Sequence, residues 1–159
     1  ASRLTHPSAG TFDINMPLTG TAGIEDRSSA TYNAVFNFGG PVTSGNVTVT
    51  VGTATPGTPT FSGNSITLPL TGVTNAPTIT LHVANVNGSG MTAGDINFSF
   101  LIGDTNGDGT VNSADVGQTK SQSGSSVDGT NFREDVNVDG TLNSGDVGLV
   151  KSKSGTSLP

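Results

Sequence analysis

Two twelve-residue segments towards the C-terminal end carry one arrangement of oxygen-bearing side chains. The first, D-T-N-G-D-G-T-V-N-S-A-D, runs from Asp104 to Asp115. The second, D-V-N-V-D-G-T-L-N-S-G-D, runs from Asp135 to Asp146, 31 residues on. Both place Asp or Asn at positions 1, 3, 5, 9 and 12 and glycine at position 6. That is the spacing of a loop that wraps a calcium ion with side-chain oxygens and the backbone carbonyl of position 7. Glycine is required at position 6 because the chain turns sharply there and a Cβ would clash. A plain Asp/Asn/Gly turn has no reason to repeat all six positions. The feature constrains folding directly. Three carboxylates brought close together repel unless a cation joins them, so metal binding and folding of this part are one event.

The two loops resemble the duplicated repeats of a type I dockerin, the module that docks onto cohesin domains. Position 12 is Asp (Asp115, Asp146) where an ordinary EF-hand has Glu, and the stretch F-S-F-L-I-G before the first loop reads as a strand, not an entering helix. The resemblance covers roughly residues 103–155. It implies two Ca2+ ions: one held by Asp104, Asn106, Asp108, the carbonyl of Thr110, Asn112 through water and Asp115. The other would be held by Asp135, Asn137, Asp139, the carbonyl of Thr141, Asn143 and Asp146. It also implies a partner-reading surface at Ser113, Ala114, Lys120 and Ser121, matched in the second repeat by Ser144, Gly145, Lys151 and Ser152. Residues 103–159 hold eight acids and four bases, net −4, which two calcium ions would bring to about zero. The helices expected after the loops are thin in apolar residues: Val116 in the first, Val147, Leu149 and Val150 in the second. Phe132 is expected at the centre of this half's core.

Residues 1–102 read differently. Apolar side chains alternate at Phe12, Ile14, Met16, Leu18; Tyr32, Ala34, Phe36, Phe38; Val47, Val49, Val51; Ile66, Leu68, Leu70; Ile79, Leu81, Val83; and Ile96, Phe98, Phe100. A period of two turns one face of a strand to the core and the other to water. Gly39-Gly40-Pro41, Ser62-Gly63-Asn64 and Asn87-Gly88-Ser89-Gly90 punctuate the runs. Six or seven short strands at this spacing predict an immunoglobulin-like β-sandwich. Pro17 and Pro69 within such runs suggest edges or bulges. The fold class expected is therefore mainly β with a small α module. Its domains are an immunoglobulin-like sandwich over 1–102 and a dockerin-like pair of calcium loop–helix repeats over 103–159. No linker separates them, because Phe100 is followed by Leu101-Ile102-Gly103 and then the first ligand. A rigid junction is expected.

Composition narrows function. A net charge of −6 argues against nucleic-acid binding, which needs a basic face. With no cysteine, calcium replaces disulfides as the staple. No run approaches 18 apolar residues, so no membrane-spanning helix is expected. The start at Ala1 fits a processed secreted chain, and weak extracellular-type calcium loops place it outside a bacterial cell or on its surface. No catalytic constellation emerges. His6 and His82 read as loop or strand-surface residues, and Glu25-Asp26-Arg27 as a solvated turn. The sequons at Asn46, Asn87 and Asn97 would allow surface glycosylation. One tyrosine and no tryptophan count against a carbohydrate-binding accessory module. The leading expectation is a non-catalytic structural subunit that self-associates into a homopolymeric filament or surface assembly through its calcium module and its N-terminal strand, Thr11–Leu18 pairing with a neighbour's sheet. The alternative is docking to a cohesin-bearing scaffold, and a further alternative is a carbohydrate-binding accessory module.

Overall fold

The structure, a computed structural model, describes residues 1–75, 77–89 and 92–159. Its strands in chain order are β1 (Ser2–His6), β2 (Gly10–Ile14), β3 (Gly23–Glu25), β4 (Thr31–Asn37) and β5 (Asn46–Val51). Then follow β6 (Thr55–Pro56), β7 (Thr60–Ser62), β8 (Ser65–Thr71), β9 (Thr78–Ala84) and β10 (Thr92–Phe100). Two helices close the chain, α1 (Ser113–Gln122) and α2 (Ser144–Lys153). One sheet has the order β2-β1-β4-β8-β6, with β7 also on β8; the other runs β3-β10-β9-β5. The protein is thus mainly β, with two sheets and two helices.

Alternation explains where the core sits. Ile66, Leu68 and Leu70 of β8 and Ile79, Leu81 and Val83 of β9 are wholly buried, together with Phe98 and Phe100 of β10. These inward faces of both sheets form one apolar cluster. Two alternating positions depart from expectation. Leu18 is exposed, because β2 ends at Ile14 and the chain has left the sheet before Pro17. Val51 is exposed because a bulge shifts the β5–β9 register between Val49 and Val51. One extra residue reverses the facing of everything after it. Pro69 lies where the outer neighbour of β8 changes from β7 to β6, so its missing N–H interrupts no ladder. Gly90, the end of one expected turn, lies outside the described residues.

The expected strand Thr11–Leu18 is β2, which ends at Ile14 and stands at the edge of its sheet. It pairs antiparallel with β1 from Ser2↔Ile14 to His6↔Gly10, and β1, which lies outside the expected strand, is flanked by β2 and β4. The terminal amine of Ala1 donates to the Val35 carbonyl at 2.7 Å, and Val35 N–H returns a bond to Ala1. The opposite end is also held internally. Val111 and Leu158 N–H bond Thr156 and Gly109 carbonyls, and Thr110 bridges Ser157. Ala1 and the C-terminal tail are thus bonded within the chain, whereas β2 has a strand on one side only.

The junction is built from backbone and buried charge. Parallel pairing of β3 with β10 continues as Leu101 N–H to Glu25 O (3.0 Å) and Gly103 N–H to Asp26 O (2.9 Å). Ser28 N–H reaches the Val136 carbonyl at 2.7 Å. Ile24 of β3 joins Leu101, Val111, Val136 and Val150 in a second, small aliphatic core. The C-terminal part therefore borrows apolar surface from the β part.

Candidate calcium loops and docking surface

Each loop leads without an entering helix into its α-helix, and the hinge is a side-chain cap. Asn112 accepts Ala114 N–H at 2.7 Å, and Asp115 accepts Asn112 N–H at 2.9 Å. Asn143 and Asp146 repeat this capping box at 2.6 and 3.0 Å. The box satisfies orphan N–H groups of the first helical turn and sets Asp at position 12 facing back into the loop. There Asp115 also accepts Asn106 N–H, and Asp146 accepts Asn137 N–H, both at 3.2 Å.

The remaining loop bonds are duplicated as closely. Asp104 receives Asp108 N–H (3.1 Å) and Gly109 N–H (2.9 Å). Asp135 receives Asp139 and Gly140 N–H at the same two distances. Asn106 and Asn137 donate their side-chain amides to Asp108 and Asp139 at 3.0 and 2.9 Å. Thr110 and Thr141 spend both hydroxyl and N–H on those same aspartates, so the carbonyl is the donor each could offer an ion. Asn112 and Asn143 turn Oδ1 towards the helix, which suits a contact through water rather than a direct one. Gly109 and Gly140 sit at φ +87° and +86°, as the sharp turn demands.

Electrostatics fits a divalent cation. Asp104, Asp115, Asp135 and Asp146 are fully buried. Burial, with the nearby charges of Asp115 and Asp108 adding to it, raises the Asp104 carboxyl above its usual range against the pull of its two N–H donors. Burial likewise raises Asp146 beside Asp135 and Asp139. Asp108 and Asp139 move the other way, led by the Thr110 and Thr141 hydroxyls. Among the described residues no lysine or arginine is ion-paired to any of the six loop aspartates. Carboxylates alone do not close a cage: among the described residues no three carboxylate, imidazole or thiolate groups come together to hold an ion. The donor set needs its Asn amides and Thr carbonyls, which is the calcium preference for mixed oxygen ligands.

The residues matched to a partner surface, Ser113, Ala114, Lys120 and Ser121, are all exposed, as are Ser144, Gly145, Lys151 and Ser152. α1 and α2, which carry these two sets, pack on each other.

Residues 102–153 match the type I dockerin domain. Domains of this family are calcium-binding modules that dock to cohesin. No curated protein and no solved structure matches the chain. The 159-residue chain therefore carries a C-terminal dockerin domain behind a two-sheet β part.

Three residues read as a solvated turn prove to be fully buried charges. Glu25, Asp26 and Arg27 are 0% exposed. Arg27 grips Glu25 through Nε and Nη2, both at 2.8 Å, and donates Nη1–H to His6 Nε2 at 3.1 Å. Parallel pairing of β3 with β10 draws the turn under the dockerin domain, away from water. His6, expected in a loop or on a strand surface, is also fully buried, with Nδ1 2.6 Å from Asp135 Oδ2. No local spacing could reveal a contact across 129 residues. His82 does lie on the strand surface, paired with Asp95.

Phe132 is a correction too. It is not the centre of the dockerin core but packs on the large β core, stacked on Phe12 with ring centroids 5.1 Å apart and Arg27 5.3 Å from its centroid. Arg133 beside it donates to the carbonyls of Thr105, Asp104 and Ile24. It also lies 3.0 Å from Asp26 Oδ1. That approach is close but poorly directed, since neither Asp26 oxygen accepts a well-aligned hydrogen bond. Burial consequently outweighs Arg133 and holds the Asp26 carboxyl well above its usual range.

Proposed function

We propose that the chain is a non-catalytic, secreted protein that docks through residues 102–153 onto a cohesin-type receptor module when its two loops are filled with calcium. The observation that carries this is the duplicated, helix-capped loop geometry within the matched dockerin segment. Asp104, Asn106, Asp108, Thr110 and Asp115 would hold one ion, with Asn112 through water. Asp135, Asn137, Asp139, Thr141 and Asp146 would hold the other, with Asn143 through water. Calcium's part is to neutralise the buried carboxylates and fix the helix that follows each loop, so that the exposed Lys120/Ser121 and Lys151/Ser152 faces are presented in one geometry. The non-catalytic reading of the β part is supported by its histidines: His6 is committed to Asp135 and Arg27, His82 to Asp95. Self-association through the N-terminal strand has less behind it: the chain's two ends are bonded within the chain, although β2 stands at a sheet edge. The test is capture of the purified chain on an immobilised type I cohesin, with calcium and with chelator. Calcium-dependent retention supports the reading, and no retention in millimolar calcium defeats it for that receptor class.

A further inference from the structure

The side-chain bonds of the first aspartate are copied between the loops with one addition. Asp104 Oδ2 receives Gly109 N–H; Asp135 Oδ2 receives Gly140 N–H and, in addition, His6 Nδ1. His6 ends β1, so a residue of the first sheet reaches the first aspartate of the second loop. Its protonation follows from its other neighbour. Arg27 Nη1 can act as a donor but never as an acceptor, so His6 Nε2 must accept and the ring proton sits on Nδ1, aimed at Asp135. The ring is fixed between Phe12, edge-on at 5.3 Å, and Phe132 at 6.4 Å. Arg27 in turn is clamped by Glu25, which also takes the Ser2 hydroxyl. A buried line Glu25–Arg27–His6 thus ends on the carboxylate of the second loop. The same tip of the β1–β2 turn packs against Gly140, where a methyl group would sit 1.9 Å from the Pro7 carbonyl oxygen. A methyl group added at Gly109, its counterpart, would meet nothing within 4 Å.

From these contacts we propose that His6 is a positioning residue of the second calcium loop, so that the N-terminal hairpin orients the leading carboxylate of this site and not that of the first. The inference rests on the calcium reading of the loops. With Gly140 N–H and His6 on Oδ2 and Asp139 N–H on Oδ1, the Asp135 carboxylate is locked in rotation and would be held ready for the ion. Partners that orient a ligand from behind typically change metal affinity 10–100-fold when removed. The coupling is reciprocal: calcium in the second loop must strengthen docking of the hairpin by the same factor that docking strengthens calcium.

Gly109 and Gly140 amides bond the first aspartate of each loop, so their NMR shifts report the two sites separately in a titration of the full chain with Ca2+ alone. His6→Asn places an amide N–H near Nδ1, whereas His6→Gln reaches the Nε2 position and leaves Asp135 without its donor. Both are polar and of similar size, so they disturb packing comparably. In His6→Gln the Gly140 midpoint should rise about tenfold with Gly109 unmoved, and His6→Asn should stay close to wild type. A merely structural histidine would move both glycines together, or the two variants equally, and either result overturns the proposal. So does an unchanged Gly140 midpoint. If neither glycine responds to calcium in the unmodified chain, the calcium reading itself fails and takes this inference with it.

Discussion

Substituting alanine at position 6 of each loop separates the loop's own requirement from its docking. Gly109→Ala and Gly140→Ala ask the same of the backbone, since φ is +87° and +86°. A non-glycine residue there costs about 1–2 kcal/mol, reduced by about 0.4–1 kcal/mol because alanine restricts the unfolded chain. The shared loss is about 1 kcal/mol. Surroundings then differ. The added methyl of Gly109→Ala meets nothing, while that of Gly140→Ala would lie 1.9 Å from the Pro7 oxygen and 2.9 Å from its carbon. Ordinary contact needs about 3.4 Å or more, so one backbone must move by about 1.5 Å. Pro7 cannot rotate its φ, and it follows His6, which is anchored on Asp135. Overpacking of that kind costs about 1–3 kcal/mol. Gly140→Ala should therefore be about 2 kcal/mol less stable than Gly109→Ala, or about 6 °C in Tm for a chain of this length. The measurement is thermal unfolding of both variants at one saturating calcium concentration, since bound ligand shifts Tm by mass action. Equal losses would refute the reasoning, because the hairpin contact would then carry no weight.

Chelation should strip hydrogen-exchange protection from α1 and α2 while the amides of β8, β9 and β10 keep theirs; at free calcium a hundred times Kd the difference is about 2.7 kcal/mol for each filled loop, and uniform protection in both conditions would contradict the metal-dependent core. Asp26→Asn should stabilise the fold at neutral pH. A carboxyl whose folded pKa lies above the ordinary 3.8 contributes stability below that value and loses it as pH rises through the folded one. The gain of the variant over wild type should thus grow on going from about pH 4 to neutral, and a constant difference would show that Asp26 does not titrate so. Lys120→Ala or Lys151→Ala alone should cost about twofold in cohesin capture, since one of two equivalent faces survives, whereas the double variant should cost at least tenfold; equal losses in singles and double would exclude paired faces.

Local rules made the strands and the loops legible. Period-two runs such as Ile66-Leu68-Leu70 and Ile79-Leu81-Val83 can bury one face in only one way, and the capping Asn and Asp of each loop dictate where α1 and α2 begin. Reading failed at Leu18 and Val51, where alternation continues in the sequence after the chain leaves the sheet or slips by a bulge. Hydrophobicity alone cannot register an inserted residue.

What the sequence by itself determined is therefore the periodic and the metal-linked: mainly β elements, two capped loops, two helices, and the segment that matches a dockerin. Tertiary structure decided the junction. Glu25, Asp26, Arg27 and His6 look like ordinary surface residues in one dimension, and become a buried hydrogen-bonded line because β3 lies parallel to β10 and β1 ends against the second loop. Burying charge is unfavourable unless distant partners meet it with directed bonds. Such partners are 21 and 129 residues apart here. Propensity and spacing act over a few residues, so only the assembled fold can bring those groups within hydrogen-bond reach.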